Sequence, residues 1–388
     1  MRLVSCSVLF AANAFAASAA LAFAPPLTFE PRLLAVDANE GCDVGDIDGD
    51  GRLDVVAGRN WYRNGDWVPR PVRVVPDWNG YVESNGDFLL DVDGDGMLDV
   101  MAGAFVRPDV NWYQNPGPAG LARGTVWTRR TLADTAMEQN EASFLHDVDG
   151  DGVPEWITNS WNKAAPLVIW RLAEAAETTL PTLVPHTVGP VNGHGLGFGD
   201  LNNDGREDIL VGTGWYERPA GGPFAGPWIY HPDWDRPLSC PVLVRDLDGD
   251  GSNDVVWGNP HDFGVFAWMG TGVGPNGAFT YDEVVIDRSF SQPHCLTFAD
   301  LDGDGVDELI TGKRVRAHNG KDPGGTDPPV VCYFAWSDAS QSFERHDIAH
   351  GDIGIGLQIR TADLDEDGRL DIVVAGKDGT WILFNRGR

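Results

Sequence analysis

Seven nonapeptides in this sequence carry oxygen donors at positions one, three, five and nine, with glycine always at position six. The donors are Asp46, Asp48, Asp50 and Asp54; Asp91, Asp93, Asp95 and Asp99; Asp147, Asp149, Asp151 and Glu155; Asp200, Asn202, Asp204 and Asp208; Asp246, Asp248, Asp250 and Asp254; Asp300, Asp302, Asp304 and Glu308; and Asp363, Asp365, Asp367 and Asp371. Oxygens at that spacing around a glycine-permitted turn suit a hard cation that takes roughly six to eight oxygen ligands, so up to seven structural Ca²⁺ are expected. A plain acidic turn is the weaker alternative, because carboxylates this close repel one another without a cation. An EF-hand would place a bidentate Glu at position twelve. Here that position holds Ala57, Ala102, Thr158, Val211, Trp257, Thr311 and Val374. The loop containing Asn202 has one carboxylate fewer and is expected to bind most weakly.

Most of the acidity of the chain sits in these loops. Among 388 residues there are 28 Lys+Arg and 58 Asp+Glu, a formal charge of −30, which seven divalent cations would bring to about −16. Such a charge disfavours nucleic acid and anionic membrane surfaces. No basic stripe, phosphate-cradling glycine loop or Ser-His-Asp order is present. With 42% hydrophobic and 10% aromatic residues the chain can fill a core, which excludes a disordered acidic tail. Residues 1–24 combine a charged start, a short apolar run and a small-residue end, the pattern of a signal peptide with cleavage near Ala16. The expectation is therefore a secreted or periplasmic protein, and no other apolar run is long enough for a membrane span.

The first aspartates of successive loops stand 45, 56, 53, 46, 54 and 63 residues apart. That spacing is the length of a four-stranded propeller blade. A solenoid of calcium repeats would need a much shorter unit. Residues 25–388 are accordingly expected to form an all-β, seven-bladed β-propeller of four-stranded antiparallel blades. In each blade an innermost strand enters the aspartate loop (Phe88–Leu90, Phe144–Leu145, Leu196–Phe198, Leu243–Val244, Leu296–Phe298) and a second leaves it. A third carries aromatics (Trp112–Tyr113, Trp215–Tyr216, Phe266–Trp268, Trp381–Phe384), and a fourth is the outer edge (Val72–Val75, Glu283–Ile286). The last unit stops after its third strand, so Thr28–Leu34 should supply the missing outer strand and close the ring. Stretches such as Pro116–Pro118, Pro219–Pro223 and Lys321–Pro329 read as loops within blades.

If the loops join first to second strands at one face, the opposite face receives the starts of the first strands and the ends of the second. Six residues before each loop stand Glu40, Asn85, Glu141, His194, Cys240, His294 and Leu357; the second strands deliver Arg59, Asn60, Ser160, Trp161, Thr213, His261, Lys313 and Arg314. A lone channel histidine is as often a structural hydrogen-bond partner as a ligand. Two at equivalent positions, beside Glu141 and with His261 nearby, raise the alternative of an acid/base centre or of one transition metal such as Zn²⁺, Mn²⁺ or Fe²⁺. Cys240 could be a ligand, half of a disulfide with Cys295, or a small buried side chain. Trp78 and Trp234 precede inner strands and could overhang the same mouth, where an aromatic face flanked by polar groups suits a sugar. Edge packing is the competing reading for both.

The aspartate repeats match the FG-GAP/VCBS repeat family, known for its integrin-α-like propeller, and the resemblance covers essentially all of residues 25–388. It speaks to architecture more than to function. Segments 192–197 (Asn-Gly-His-Gly-Leu-Gly), 214–217 (Gly-Trp-Tyr-Glu), 292–294 (Gln-Pro-His), 312–314 (Gly-Lys-Arg) and 318–324 resemble the propeller of aldos-2-ulose dehydratases. That resemblance implies a metal-assisted site that removes water from a keto-sugar. It further implies His194 and His294 as metal ligands or acid/base groups, and Lys313 and Arg314 as substrate or oxyanion contacts. The cupin segments of that family are missing after Arg388, so an isomerase step housed there is not expected. The combined expectation is a carbohydrate-processing carbon–oxygen lyase with His194, His294, Glu141, His261 and Arg314 at its centre. Asn85, Trp78, Trp234, Tyr216 and Lys313 would contact substrate. The rivals are a non-catalytic glycan- or protein-binding propeller and an adhesion module, the latter expected to carry a stalk or anchor that is not read here.

Overall fold

The computed structural model describes residues 25–162, 164–174, 180–275, 277–337 and 340–388. The proposed signal peptide, residues 1–24, lies outside them. The architecture is an all-β propeller built from four-stranded antiparallel units. Five are separate sheets, and two more are joined edge to edge as an eight-stranded sheet. Each aspartate loop links the first strand of a unit to its second, as in Cys42–Gly45 with Asp54–Ala57 and Ile359–Ala362 with Asp371–Gly376. The first strands Phe88–Leu90, Cys42–Gly45, Ile359–Ala362, Leu296–Ala299, Val242–Arg245 and Leu196–Gly199 lie side by side in that order. Two of them pair in parallel, Gly197 with Val242 and Phe198 with Leu243. Glycine is required there, because a Cβ at Gly197 would collide with the Val242 carbonyl.

Strand Phe29–Ala35 pairs antiparallel with Gly379–Asn385, so the first described strand completes the sheet of the last three. The cores lie between neighbouring units. Trp61, Trp112, Trp156, Trp215 and Trp268 are almost wholly buried, each on the second or third strand of its unit. Two expectations need correction. The outer strand of the first unit is Pro69–Pro71, not Val72–Val75. Prolines are tolerated on such an edge, while the chain beyond is drawn away as Val72 and Arg73 donate to the Arg59 carbonyl and the Arg73 guanidinium pairs with buried Asp87. Pro116 precedes a short helix, Gly117–Ala122, instead of a structureless loop.

The aspartate loops repeat one hydrogen-bond pattern. The position-six amide donates to the position-one carboxylate, as Gly51 to Asp46 and Gly152 to Asp147, both at 2.9 Å. The position-nine acid is buried and accepts from the position-two amide, Ile47 to Asp54 at 3.0 Å and Leu364 to Asp371 at 2.9 Å. Its other oxygen accepts from the end of the third strand or just past it, Asn64 to Asp54 and Asn385 to Asp371, each at 2.8 Å. Position nine therefore staples the loop to the sheet in addition to any ligand role. Burial pushes Asp54 up to about 6 and Asp99 up to about 7.

Removing residues 25–35 would leave the edge of Gly379–Asn385 bare, an invitation to pair with another chain. The shortened protein is expected to melt earlier and to elute as aggregates in size-exclusion chromatography. Parental melting and elution would show that this pairing contributes little.

Candidate active site

Glu141 is the point on which the site converges. It lies on the first strand of the third unit, Asn140–His146, and is buried. Its Oε2 is 2.9 Å from His194 Nε2 and accepts from the Trp161 indole; its Oε1 is 2.9 Å from Arg314 Nη1 and 3.3 Å from His294 Nε2. Arg314 follows the second strand of the sixth unit, Glu308–Gly312, and also grips Glu40 through Nε at 2.7 Å and Nη2 at 3.0 Å. Lys377 approaches Glu40 at 3.3 Å and lies over the Tyr81 ring. Residues far apart in sequence thus meet because the inner strands begin at one face.

The donor and acceptor inventory of the histidines is unusual. His194 Nδ1 lies 2.7 Å from the Leu238 carbonyl, which can only accept, so in the neutral ring the proton is on Nδ1 and Nε2 is bare. That bare nitrogen faces the Glu141 carboxylate and His294 Nε2, the latter at 3.2 Å. Lone pairs converge there, and the geometry asks for a second proton or a cation between them. His261 adds a third imidazole: Nδ1 is 3.2 Å from Asp322 Oδ2, while Nε2 is buried without a partner. One ligand atom each from Glu141, His194, His261 and His294 lies within 4.8 Å of the others. Imidazole nitrogens with one carboxylate are a fitting donor set for a divalent transition metal.

Electrostatics support that use. Burial, with the Arg314 charge, pushes His294 down to about 3, and burial, with His194 nearby, pushes His261 down to about 4. Both rings are neutral, and so able to ligate, near pH 7. Burial works against the Glu141 carboxylate, but the facing imidazoles of His194 and His294 hold its pKa well below the usual range. Glu40 is likewise opposed by burial and rescued by Arg314 and Lys377, which hold it at about 2.

Beside this cluster opens a cavity of about 110 Å³ whose wall includes Glu141, Arg314 and Lys377 on the charged side. Trp78, Tyr81 and Phe105 form its aromatic side, and Asn85, His318 and Asn319 add polar groups. The Trp78 ring stands edge-on to Tyr81 with centroids 5.6 Å apart. Of the residues predicted for the site, His194, His294, Glu141, His261, Arg314, Trp78 and Asn85 are therefore brought together. Three are not. Trp234 is buried, donates to the Val211 carbonyl and packs on Trp268 and Phe279. Tyr216 is buried with its hydroxyl donating to the Val191 carbonyl. Lys313 turns inward to Ser291 and Gln292. Cys42, Cys240, Cys295 and Cys332 are buried free thiols, and Asn159 Nδ2 reaches Cys240 Sγ at 3.1 Å.

Sequence reasoning missed Lys377, Tyr81 and Phe105, and it gave no role to His318, Asn319 and Asp322, although their segment 318–324 was among those that resemble the dehydratase propeller. Lys377 carried a signal, since it follows the glycine ending the last second strand just as Lys313 follows Gly312. Tyr81 and Phe105 lie outside the four strands of a unit or at a strand end, where no periodicity places them.

Fold and site together define a propeller of aspartate-loop units with a polar centre opposite the loops. The family model of the FG-GAP-like repeat matches residues 246–311, which hold two of the seven aspartate loops, Asp246–Asp254 and Asp300–Glu308, and the chain between them. No curated protein matches. Among solved structures the chain is similar to an Agrocybe aegerita lectin described as specifically recognising non-reducing terminal N-acetylglucosamine. The TM-score is 0.46, with 18% identity over 82% of this chain and 81% of that one. Among the described residues no helix is long and apolar enough to cross a membrane.

Glu40→Gln leaves Arg314 and Lys377 facing a neutral amide in a buried site. It is expected to destabilise the fold by about 3–5 kcal/mol in urea titration at pH 7. The Glu40 contribution is present above its unfolded pKa of 4.5 and is lost as pH falls toward about 2. The gap between parent and variant should therefore close across that interval. A constant gap would assign the loss to packing.

Proposed function

We propose that this protein is a secreted, calcium-stiffened, seven-bladed propeller enzyme that binds one transition metal at its channel mouth and removes water from a keto-sugar or uronate. The observation that carries the reading is the convergence of three imidazoles and one carboxylate beside a cavity with an aromatic wall. His194, His294, His261 and Glu141 would hold the ion. When bound, the ion supplies Lewis-acid polarisation of a carbonyl oxygen.

The remaining chemistry falls to side chains of the cavity. Trp78, Tyr81 and Phe105 offer apolar faces to the C–H surface of a sugar ring, and Asn85 and Asn319 offer hydrogen bonds to hydroxyls. Arg314, already matched by Glu40, stabilises negative charge developing on the carbonyl oxygen. His318 is the one imidazole in the cavity wall outside the ligand cluster. It takes the proton from the carbon next to the carbonyl. The C–O bond on the following carbon breaks, a C=C bond forms, and the departing hydroxide leaves as water with the proton returned by His318. The net change is loss of one water, with no oxidant or reductant.

Ring closure by Phe29–Ala35 and cation binding in the loops belong to the same reading. Support for the cations comes from triads such as Asp46, Asp48 and Asp50, or Asp91, Asp93 and Asp99, whose oxygens lie within 4.8 Å of one another. Arg63 and Arg206 lean on loop carboxylates, at 2.6 Å from Asp48 and beside Asp204, so these arginines compete with an ion and occupancy should differ among loops.

Elemental analysis should find several equivalents of calcium and about one of a transition metal. Because an ion that binds only the native state stabilises it, EDTA should lower the melting temperature and added Ca²⁺ restore it; an unchanged melt would refute the loop assignment. Incubation with 1,5-anhydro-D-fructose should produce an ultraviolet-absorbing enone, with His294→Ala at least about 100-fold slower. Calcium alone, no enone and retained sugar binding would instead identify a glycan-binding propeller using the same aromatic wall.

A further inference from the structure

The segment between the second and third strands of the sixth unit is strained in a way that its role as a connector does not require. Arg316, His318 and Asn319 have φ of 49°, 46° and 57°, a left-handed backbone that non-glycine residues adopt at a cost. A few residues further along the same connection comes Asp322, whose carboxylate points back at the site. Asp322 Oδ2 is 3.2 Å from His261 Nδ1, and Oδ1 is 3.0 Å from His318 Nδ1. The two imidazoles stack, with centroids 4.5 Å apart and planes 8° from parallel, and the Trp161 ring stands edge-on to both.

One carboxylate therefore fixes the tautomers of two rings. With its proton held on Nδ1 by Asp322, His261 has only Nε2 left to offer, and that atom is the buried one without a partner. His261 belongs to the group formed with Glu141, His194 and His294. We propose that Asp322 is a positioning residue that orients His261 as the third imidazole of the metal centre, and that the left-handed segment exists to deliver this carboxylate. The inference rests on the metal reading given above. The physical basis is general: a carboxylate behind a ligating imidazole fixes the ring and raises its basicity, and its removal typically weakens metal binding about 10–100-fold.

The test uses Zn²⁺ and Co²⁺ as probes, on full-length protein kept in excess Ca²⁺ so that the loops stay filled. Asp322→Asn should raise the Zn²⁺ dissociation constant about 10–100-fold in competition with a chromophoric chelator and weaken the visible absorption of the Co²⁺ form. Asp322→Glu should recover part of both signals. In a His261→Ala background the Asp322→Asn change should cost almost nothing, because the residue acts through that ring. A thermal melt within a few degrees of the parent checks that the variants fold. Parental Zn²⁺ affinity and Co²⁺ spectrum in Asp322→Asn, or an undiminished Asp322 effect without His261, would overturn this inference alone. A parent that binds neither metal would overturn the metal reading with it.

Discussion

A single guanidinium held between two buried carboxylates is the interaction on which the site depends. Arg314 takes both oxygens of Glu40 and one of Glu141, and all three side chains are shielded from water. A charge in such a place is tolerated only when paired and fully hydrogen-bonded. Burial alone would drive either carboxyl toward its neutral form. The guanidinium, joined by Lys377, keeps Glu40 ionised, while His194 and His294 act on Glu141 beside the same guanidinium. Because Glu40, Glu141 and Arg314 come from three different units, the pairing also locks the relative position of those units at the channel mouth.

Charge bookkeeping then explains what the centre can do. Glu40 and Glu141 balance Arg314 and Lys377, and His294 and His261 beside them are pressed toward neutrality by burial. A divalent ion added to this balanced set would leave the mouth positive. Its uncompensated charge would fall on whatever oxygen the ligand presents, in a pocket where the surrounding dielectric screens it poorly.

Much of this was legible in the sequence because the aspartate repeat fixes phase. Once each loop is placed between a first and a second strand, counting back to Glu40, Glu141, His194 and His294, or forward to Arg314, needs no further knowledge. The failures are cases where a side chain had a choice that strand phase does not govern. Trp78 and Trp234 follow the same Pro-Asp pair, yet one lines the cavity and the other is core. Near Trp234 two units fuse into one eight-stranded sheet, and Trp268 and Phe279 offer an apolar gap that the ring fills. Trp78 sits on a small two-stranded hairpin with Tyr81 and has no such gap to enter. Lys313 and Lys377 follow equivalent glycines, but only Lys377 finds a carboxylate; Lys313 must settle for Ser291 and Gln292. The positions of His318 and Asp322 rest on left-handed conformers of arginine, histidine and asparagine, which residue identity does not announce.

The separation between loops and site has its own physical meaning. Six residues of extended chain, about 20 Å at ~3.3 Å per residue, divide Glu40 from Asp46, and the same interval divides His194 from Asp200 and His294 from Asp300. At that distance an ion in a loop exerts little direct force on the imidazoles, given screening over roughly 8–10 Å at physiological salt. Its influence must be mechanical. The loop fixes where a short first strand begins its run through the core, and the strand, only three or four residues long in several units, carries that setting to the other face. Ligand atoms that must converge within a few ångströms from three or four units tolerate little slack in any one of them. If cations fill the loops as proposed, loops stiffened on one face would be a sufficient reason for a precise arrangement of side chains on the other, without any contact between the two.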